Sequence, residues 1–381
     1  MALNPIDSFA IDHPGSDTRT LQFQWGDLTQ MGPADAVDVL VVSALPGDYT
    51  PSPGTLIGAL AEAGLSVEQL AQNKEKNYQP AMPCWISQQF QPPSPGLQFN
   101  RLLVYEPDNP SQTAAARAWT IFEALRCRFG SQPVRVAMPL VSTGSGGADA
   151  TAILRALSWA AAHYGSSNSA VLSKVTVVAY DQARGQQLAP VFGAVKSGYQ
   201  GVFSLPLPDY AGFSQEAQAV INGKHLPPSV TWRQAVAVCI YTTNYYPYIN
   251  GTLRQIPPTN PAYMAMFPLF EAIDSGLWNM VPYWGRSLRR ENMGSREGEY
   301  QPGRVITDVA YTSTALRDIW SGPDLLQING RTGAEIWDYS RYSEEEVLFG
   351  RNFTFTVDTR SCGPTGCNFE VTENVNNLCG G

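Results

Sequence analysis

Charge, histidine and closely spaced cysteine are all scarce in this chain. Only 15% of residues are charged, with a net charge of −8 and a pI of about 5.0. So acidic a chain has no long-range pull on a polyanion, so no nucleic-acid partner is expected. The three histidines, His13, His163 and His225, are scattered, and none of the six cysteines (84, 127, 239, 362, 367, 379) has Cys-X-X-Cys spacing. No zinc ligand set can be assembled from these, and no metal is expected. The cysteines read as free thiols of a reducing cytosol, with a loop disulfide between Cys362 and Cys367 as the alternative. No apolar run approaches the roughly 18 residues needed to span a bilayer, so no membrane partner is expected. Met1–Thr20 has neither the basic region nor the apolar core of a signal peptide.

What the chain does have is apolar content, 44% over 381 residues, enough for two packed cores. The segment Leu205-Pro206-Leu207-Pro208-Asp209 reads as a linker and divides the chain into residues 1–195 and 205–381.

The second part carries four motifs in order. Ile240-Tyr241-Thr242 is followed by Tyr246-Pro247-Tyr248, Ile249-Asn250 and Leu253-Arg254. Trp284-Gly285-Arg286-Ser287-Leu288-Arg289-Arg290 sets arginines beside aromatics. Asp308–Ala315 is a β-rich run ending in the hydroxyls Thr312, Ser313 and Thr314. Finally Glu344 and Glu346 stand two apart before the apolar Val347-Leu348-Phe349. On a strand, Glu344 and Glu346 would share one face and Glu345 the other. A solvated acidic strand start is the plain alternative.

Together these motifs resemble the Arg-Ser-Glu class of mono-ADP-ribosyltransferases, and the Tyr-Thr…Ile-Asn…Leu-Arg stretch is similar to the N-terminal lobe of the bacterial toxin branch. The resemblance covers residues 205–357 and implies an α+β, mixed two-sheet ADP-ribosyltransferase fold with a helical lead-in. It implies NAD as co-substrate and a protein carrying an acceptor arginine as partner. Arg286 would hold the NAD phosphates, an arginine fork matching phosphate oxygens better than a lysine. Gly285 stands where the family has an aromatic, so Arg289 and Arg290 remain alternatives. Ser313 would aim Glu346, with Thr314 beside it as a further NAD-side residue, while Ala315 replaces the last hydroxyl of the motif. Glu346 would stabilise the oxocarbenium-like ribose as nicotinamide leaves. Glu344 would orient the acceptor guanidinium and take its proton. Tyr245, Asn250 and Arg254 would contact NAD, and Trp337, Tyr339 and Tyr342 would face the protein substrate. NAD glycohydrolysis and a degenerate ADP-ribose-binding protein are the rival readings. With toxin-like motifs and no signal peptide, the expected location is the cytoplasm, or a target cell's cytoplasm reached through a specialised secretion machine.

In the first part, Gly26-Asp27-Leu28-Thr29 follows an alternating run. Buried strands are expected at 37–44, 133–140 and 172–180, and a helix spans the apolar positions from Ile153 to Tyr164. Strand, Gly-rich loop (Val141–Gly147) and helix is a layout that offers backbone N–H groups to a phosphate. The P-loop lysine is absent, which argues against an NTPase. Residues 18–181 resemble a macro domain, an α/β/α module that binds ADP-ribose. That resemblance places Asp27 at adenine and Ser142, Thr143, Gly144, Ser145 and Gly146 at the pyrophosphate. Where active macro hydrolases carry Asn-Ala-Ala-Asn, this chain has Ser43-Ala44-Leu45-Pro46, so hydrolysis is not expected of it. A tight structural turn is the alternative.

Overall fold

The computed structural model describes residues 2–375 and 379, apart from 16, 108, 110, 131, 145, 146, 168–171 and 343. The chain divides into two compact units, Met1–Gln200 together with the C-terminal tail, and Gly201–Asn376.

The first unit contains β1 (Asn4–Ile11), β2 (Arg19–Trp25), β3 (Val39–Ser43), α1 (Leu56–Glu62), α2 (Val67–Ala71), β4 (Lys74–Asn77), β5 (Cys84–Ser87), β6 (Leu102–Tyr105), α3 (Ala114–Phe129), β7 (Val134–Pro139), α4 (Ala150–Ser166), β8 (Leu172–Ala179) and α5 (Gln182–Gln200). Its mixed sheet has the order β1-β2-β8-β7-β3-β6-β5-β4, and the five strands from β2 to β6 run parallel. Such strands need apolar residues on both faces. Leu40, Val42, Leu102 and Val104 pack with Ile57 and Leu60 of α1 and Val67 of α2. On the other face Phe192 of α5 stacks on Phe23 of β2. The result is three layers, α/β/α.

The second unit opens with α6 (Tyr210–Asn222), α7 (Trp232–Ile240), a π turn (Tyr241–Tyr245), α8 (Tyr246–Gln255) and α9 (Pro261–Asn279). The strands follow: β9 (Pro282–Glu291), β10 (Val305–Asp308), β11 (Thr312–Ala315), β12 (Asp324–Glu335), β13 (Glu346–Phe349), β14 (Phe353–Gly363) and β15 (Gly366–Glu373). Their order is β10-β14-β15-β12-β13-β11-β9, with β12 also paired to β9. Among the described strand pairs of this unit, only β12 and β15 are parallel. The expected two sheets take the form of two arms of one hydrogen-bonded network. Long β12 pairs with β15 near its start, with β9 along its length, and with β13 at Ala334 and Glu335.

Two glycines of β12 make this crossing possible. A Cβ on Gly330 would lie 2.5 Å from the Phe349 ring, and one on Gly333 would lie 2.6 Å from Val347. Both partners are fully buried, so neither has room to retreat. Gly330→Ala is expected to destabilise the second unit by about 1–3 kcal/mol, the cost of overpacking a filled core. Chemical denaturation followed by tryptophan fluorescence measures it; an unchanged midpoint would show that the crossing tolerates a methyl group.

The cysteines depart from the expectation of free thiols. Cys362 and Cys367 face each other across the β14–β15 hairpin and are bonded, and Cys127 of α3 is bonded to Cys379. Cys84 and Cys239 are free and buried. A separation of 252 residues hides the second bridge from any reading of local spacing. Such bonds persist in oxidising compartments. Among the described residues, carboxylate–cysteine groupings occur at Glu123 with Cys127 and Cys379 and at Glu297 with Cys362 and Cys367. In both, the sulfurs are tied up in disulfides, leaving no thiolate to ligate a metal. No described helix is long and apolar enough to cross a membrane.

Candidate active site

The site forms where β11, β13 and β9 meet. In the β11–β13 register Ala315 lies opposite Glu346 and Ser313 opposite Leu348. Ser313 is therefore diagonal to Glu346 on the same face. Its hydroxyl donates to Glu346 Oε1. Glu346 is only 7% exposed. Burial pushes its carboxyl up to about 7; the Ser313 hydrogen bond and Arg289 oppose that shift, and neighbouring Glu344 adds to it. The outcome is a carboxylate held in low dielectric, aimed by one hydroxyl and primed for positive charge.

Thr314, assigned by sequence to NAD, belongs elsewhere. Adjacent residues on a strand point oppositely. Thr314 faces away from Ser313, is fully buried, and donates its hydroxyl to the Val347 carbonyl 2.9 Å away. It staples β11 to β13.

The arginine bonded to this pair is Arg289, through the Ser313 backbone carbonyl. Leu288 of β9 pairs with Ala315 of β11, so Arg289 sits one residue beyond the contact point. Its Nη1 donates to the Ser313 carbonyl at 2.8 Å, and its Nε lies 3.5 Å from Glu291. Arg286 is three positions back, opposite Asn329 of β12, and two before Leu288, so by alternation it shares the face of Leu288, Ala315 and Glu346, while Arg289 alternates to the other face and reaches the Ser313 backbone. Arg286 is exposed, and no described residue engages its guanidinium. Arg290, the remaining alternative, is committed to Asp318 at 2.7 and 2.8 Å.

The helical motif supports the site from behind. The π turn breaks the helix between α7 and α8, with Thr243 in an extended conformation (φ −81°, ψ 179°). Asn250 Nδ2 donates to the Tyr311 carbonyl and its Oδ1 accepts from the Tyr311 N–H, at 3.3 and 3.2 Å. This amide acts as a strand partner two residues before Ser313. It also donates to the buried Tyr241 hydroxyl at 3.1 Å. Burial pushes that hydroxyl's pKa up, and the Glu346 charge adds to the effect. Arg254 is spent on Asp308, 2.8 Å away, which in turn accepts from the Ala310 N–H and the Thr312 hydroxyl. Thr242 Oγ1 accepts from the Arg341 N–H at 3.2 Å, tying the π turn to the glutamate loop. Asn250 and Arg254, expected to touch NAD, thus hold strand β11 and the segment leading into it. Tyr245 is packed among Tyr210, Phe213 and Tyr248 in the helical core. Its aromatic bulk fills the kink.

Glu344 precedes β13, half-buried, and accepts from the Trp320 indole N–H at 3.3 Å. Glu345 turns the other way and pairs with Arg317. Of the aromatics expected to face a substrate, Tyr342 is 42% exposed. Tyr339 is buried and Trp337 packs against the sheet core. The roles of Tyr241 and Trp320 were missed from sequence, whereas Arg289 stood there as an alternative to Arg286.

In the first unit, Asp27 and Ser142–Gly144 follow the C-terminal ends of parallel strands β2 and β7, where open α/β sheets bind ligands. Asp27 Oδ1 already accepts from the Thr29 N–H and hydroxyl at 2.8 and 2.7 Å. Ser142 takes a left-handed conformation (φ 61°), and the Thr143 hydroxyl is bound to the Leu140 carbonyl. Ser145 and Gly146 lie outside the described residues. The N–H groups opening α4 are capped by the Asp149 carboxylate, which places negative charge where a phosphate would need donors.

No protein-family model matches the chain. Over 136 residues it is 28% identical to "Putative NAD(+)--arginine ADP-ribosyltransferase Mav" of Mycobacterium avium (strain 104), a match covering 34% of this chain and 16% of Mav. The chain thus spans about one sixth of the length of the curated relative it matches. Among solved structures, the type III effector XopAI of Xanthomonas axonopodis pv. citri is 19% identical, with a TM-score of 0.38, covering 47% of this chain and 87% of its own. Exoenzyme S of Pseudomonas aeruginosa, solved with human 14-3-3 protein beta and carba-NAD, is 16% identical, with a TM-score of 0.39 and coverages of 48% and 89%. At such scores these likenesses are too remote to assign the fold.

Proposed function

We propose that the second unit is a mono-ADP-ribosyltransferase that moves ADP-ribose from NAD to an arginine of a protein, releasing nicotinamide. The observation that carries this reading is the buried Glu346, aimed by Ser313 and set beside Arg289 and Glu344. The likeness to Mav supports it.

The residues suit the co-substrate. Arg289 is about one-quarter exposed and, beyond its bond to the Ser313 carbonyl and its pairing with Glu291, has further N–H groups to offer phosphate oxygens. Glu346 stabilises positive charge at the ribose as the glycosidic C–N bond breaks and its electron pair leaves with nicotinamide. A guanidinium nitrogen of the acceptor then bonds to the anomeric carbon, and the proton it sheds goes to Glu344. With water in place of the guanidine, the same site is an NAD glycohydrolase.

Incubation with labelled NAD and a cell lysate, beside Glu346→Ala, tests the reading. Labelled proteins that disappear in the variant and are released by hydroxylamine support arginine transfer. Nicotinamide without labelled proteins moves the assignment to glycohydrolase, and neither product overturns both.

Only ionised Glu346 stabilises a cation, so kcat/KM for nicotinamide release should rise with pH through an apparent pKa of about 7. Ser313→Ala removes the hydrogen bond that favours the ionised form, so its acid limb should move to higher pH. A pH–rate series on both proteins decides; an unshifted limb would separate Ser313 from Glu346.

For the first unit the macro-domain resemblance proposes ADP-ribose binding at Asp27 and Ser142–Gly144 without hydrolysis, a reading that the Asp149 cap of α4 opposes. Calorimetry with ADP-ribose tests it.

A further inference from the structure

Glu344 lies in a short loop, and a glutamate there, with several rotatable side-chain bonds, has no fixed aim of its own. The segment 316–322 between β11 and β12 supplies what the loop lacks. It is fastened on both sides of Trp320. The Leu316 N–H donates to the Glu345 carbonyl at 3.0 Å, and Arg317 pairs with the Glu345 carboxylate at 2.9 Å. Asp318 is gripped by both arms of Arg290, which also donates to the Gly322 carbonyl at 3.3 Å. Gly322 (φ 155°) lets the segment lie against β9, where a Cβ would meet the Glu291 backbone at 2.8 Å. Trp320 is half-buried between these anchors, and its indole N–H points at Glu344 Oε2.

We propose that Trp320 is the positioning residue for Glu344 and so determines how the reaction divides between an acceptor guanidine and water. This rests on the transferase reading above. An indole N–H only donates, so it holds one carboxylate oxygen and leaves Oε1 for the acceptor. A preset carboxylate pays less ordering entropy when a guanidinium binds, and it accepts the proton along a fixed line. Hydrolysis depends on Glu346 and gains less from this arrangement. Trp320 thus acts on the transfer-to-hydrolysis ratio, which distinguishes it from a residue that merely keeps the loop folded.

The test uses the full chain with NAD and agmatine as a small guanidine acceptor, measuring ADP-ribosyl-agmatine and free ADP-ribose together. Trp320→Phe keeps an aromatic ring and deletes the donor. It is expected to lower transfer about tenfold more than hydrolysis, the worth of one hydrogen bond to a charged group. Trp320→His, which restores a ring N–H, should recover part of the ratio. In a Glu344→Gln background Trp320→Phe should have little further effect on the ratio, because a residue acting through Glu344 is not additive with its loss. Equal losses in transfer and hydrolysis, or full additivity with Glu344→Gln, overturn the assignment of Trp320 alone. A wild-type protein that releases no nicotinamide overturns the transferase reading and this inference with it.

Discussion

Glu346→Gln is expected to lower transfer and NAD hydrolysis together by about 10²–10³-fold, the usual cost of removing a preorganised electrostatic stabiliser. The same change should raise the melting temperature at pH 8. The wild-type carboxyl titrates at about 7 in the folded chain, above its ordinary 4.5, because burial disfavours the charged form. A group with a raised pKa contributes stability below its unfolded value and loses it as pH climbs through the folded value. Wild-type stability from this group therefore declines between pH 4.5 and 7, by an amount on the order of 3 kcal/mol. Glutamine carries no charge at any of these values and can still accept from the Ser313 hydroxyl. Its advantage should be absent near pH 4 and complete above pH 7. Melting curves at the two pH values, alongside nicotinamide release, check both halves. Full activity would remove Glu346 from the chemistry; lost activity with a lower melting temperature at pH 8 would mean that the buried charge is compensated by a partner.

Arg289→Lys is expected to raise KM for NAD by about tenfold or more, while Arg286→Ala stays within about twofold, since a lysine cannot reproduce the planar fork. The contrast follows from which arginine is bonded to the β11 backbone. Arg289 is one step past the Leu288–Ala315 contact and bonds to the Ser313 carbonyl. Arg286 is exposed on the face that Leu288 shares with Ala315, and no described residue engages its guanidinium. Lysine at 289 loses the double role of holding the β11 backbone and presenting free donors to phosphate. Nicotinamide release against NAD concentration gives both constants. A larger penalty at Arg286 than at Arg289 would return the phosphate role to Arg286.

Some of this was legible along the chain. The strands β3, β7 and β8 of the first unit are rich in buried β-branched and apolar residues and fall within the segments expected from sequence. The contact between Ser313 and Glu346 was anticipated only from the family resemblance, and the β11–β13 register is what brings the two together. The helical motif was visible as spacing, but its purpose was not. Asn250 and Arg254 were read as NAD contacts, and only the packing shows one gripping the Tyr311 backbone and the other spent on Asp308. Thr314 was misread because a hydroxyl next to Ser313 looks like part of the same cluster until the strand's two faces are distinguished.

The order of chemistry-bearing residues, their types and the two-part layout are properties of local pattern, which backbone periodicity and composition largely determine. The bond of Arg289 to the Ser313 carbonyl, the bridge from Cys127 to Cys379 and the meeting of Trp320 with Glu344 were decided by tertiary structure. Each depends on which residue of one element lies opposite which residue of another. Register and loop closure are settled by the packing of the whole unit, through such details as Gly330 passing over Phe349, and no local stretch of sequence carries that information.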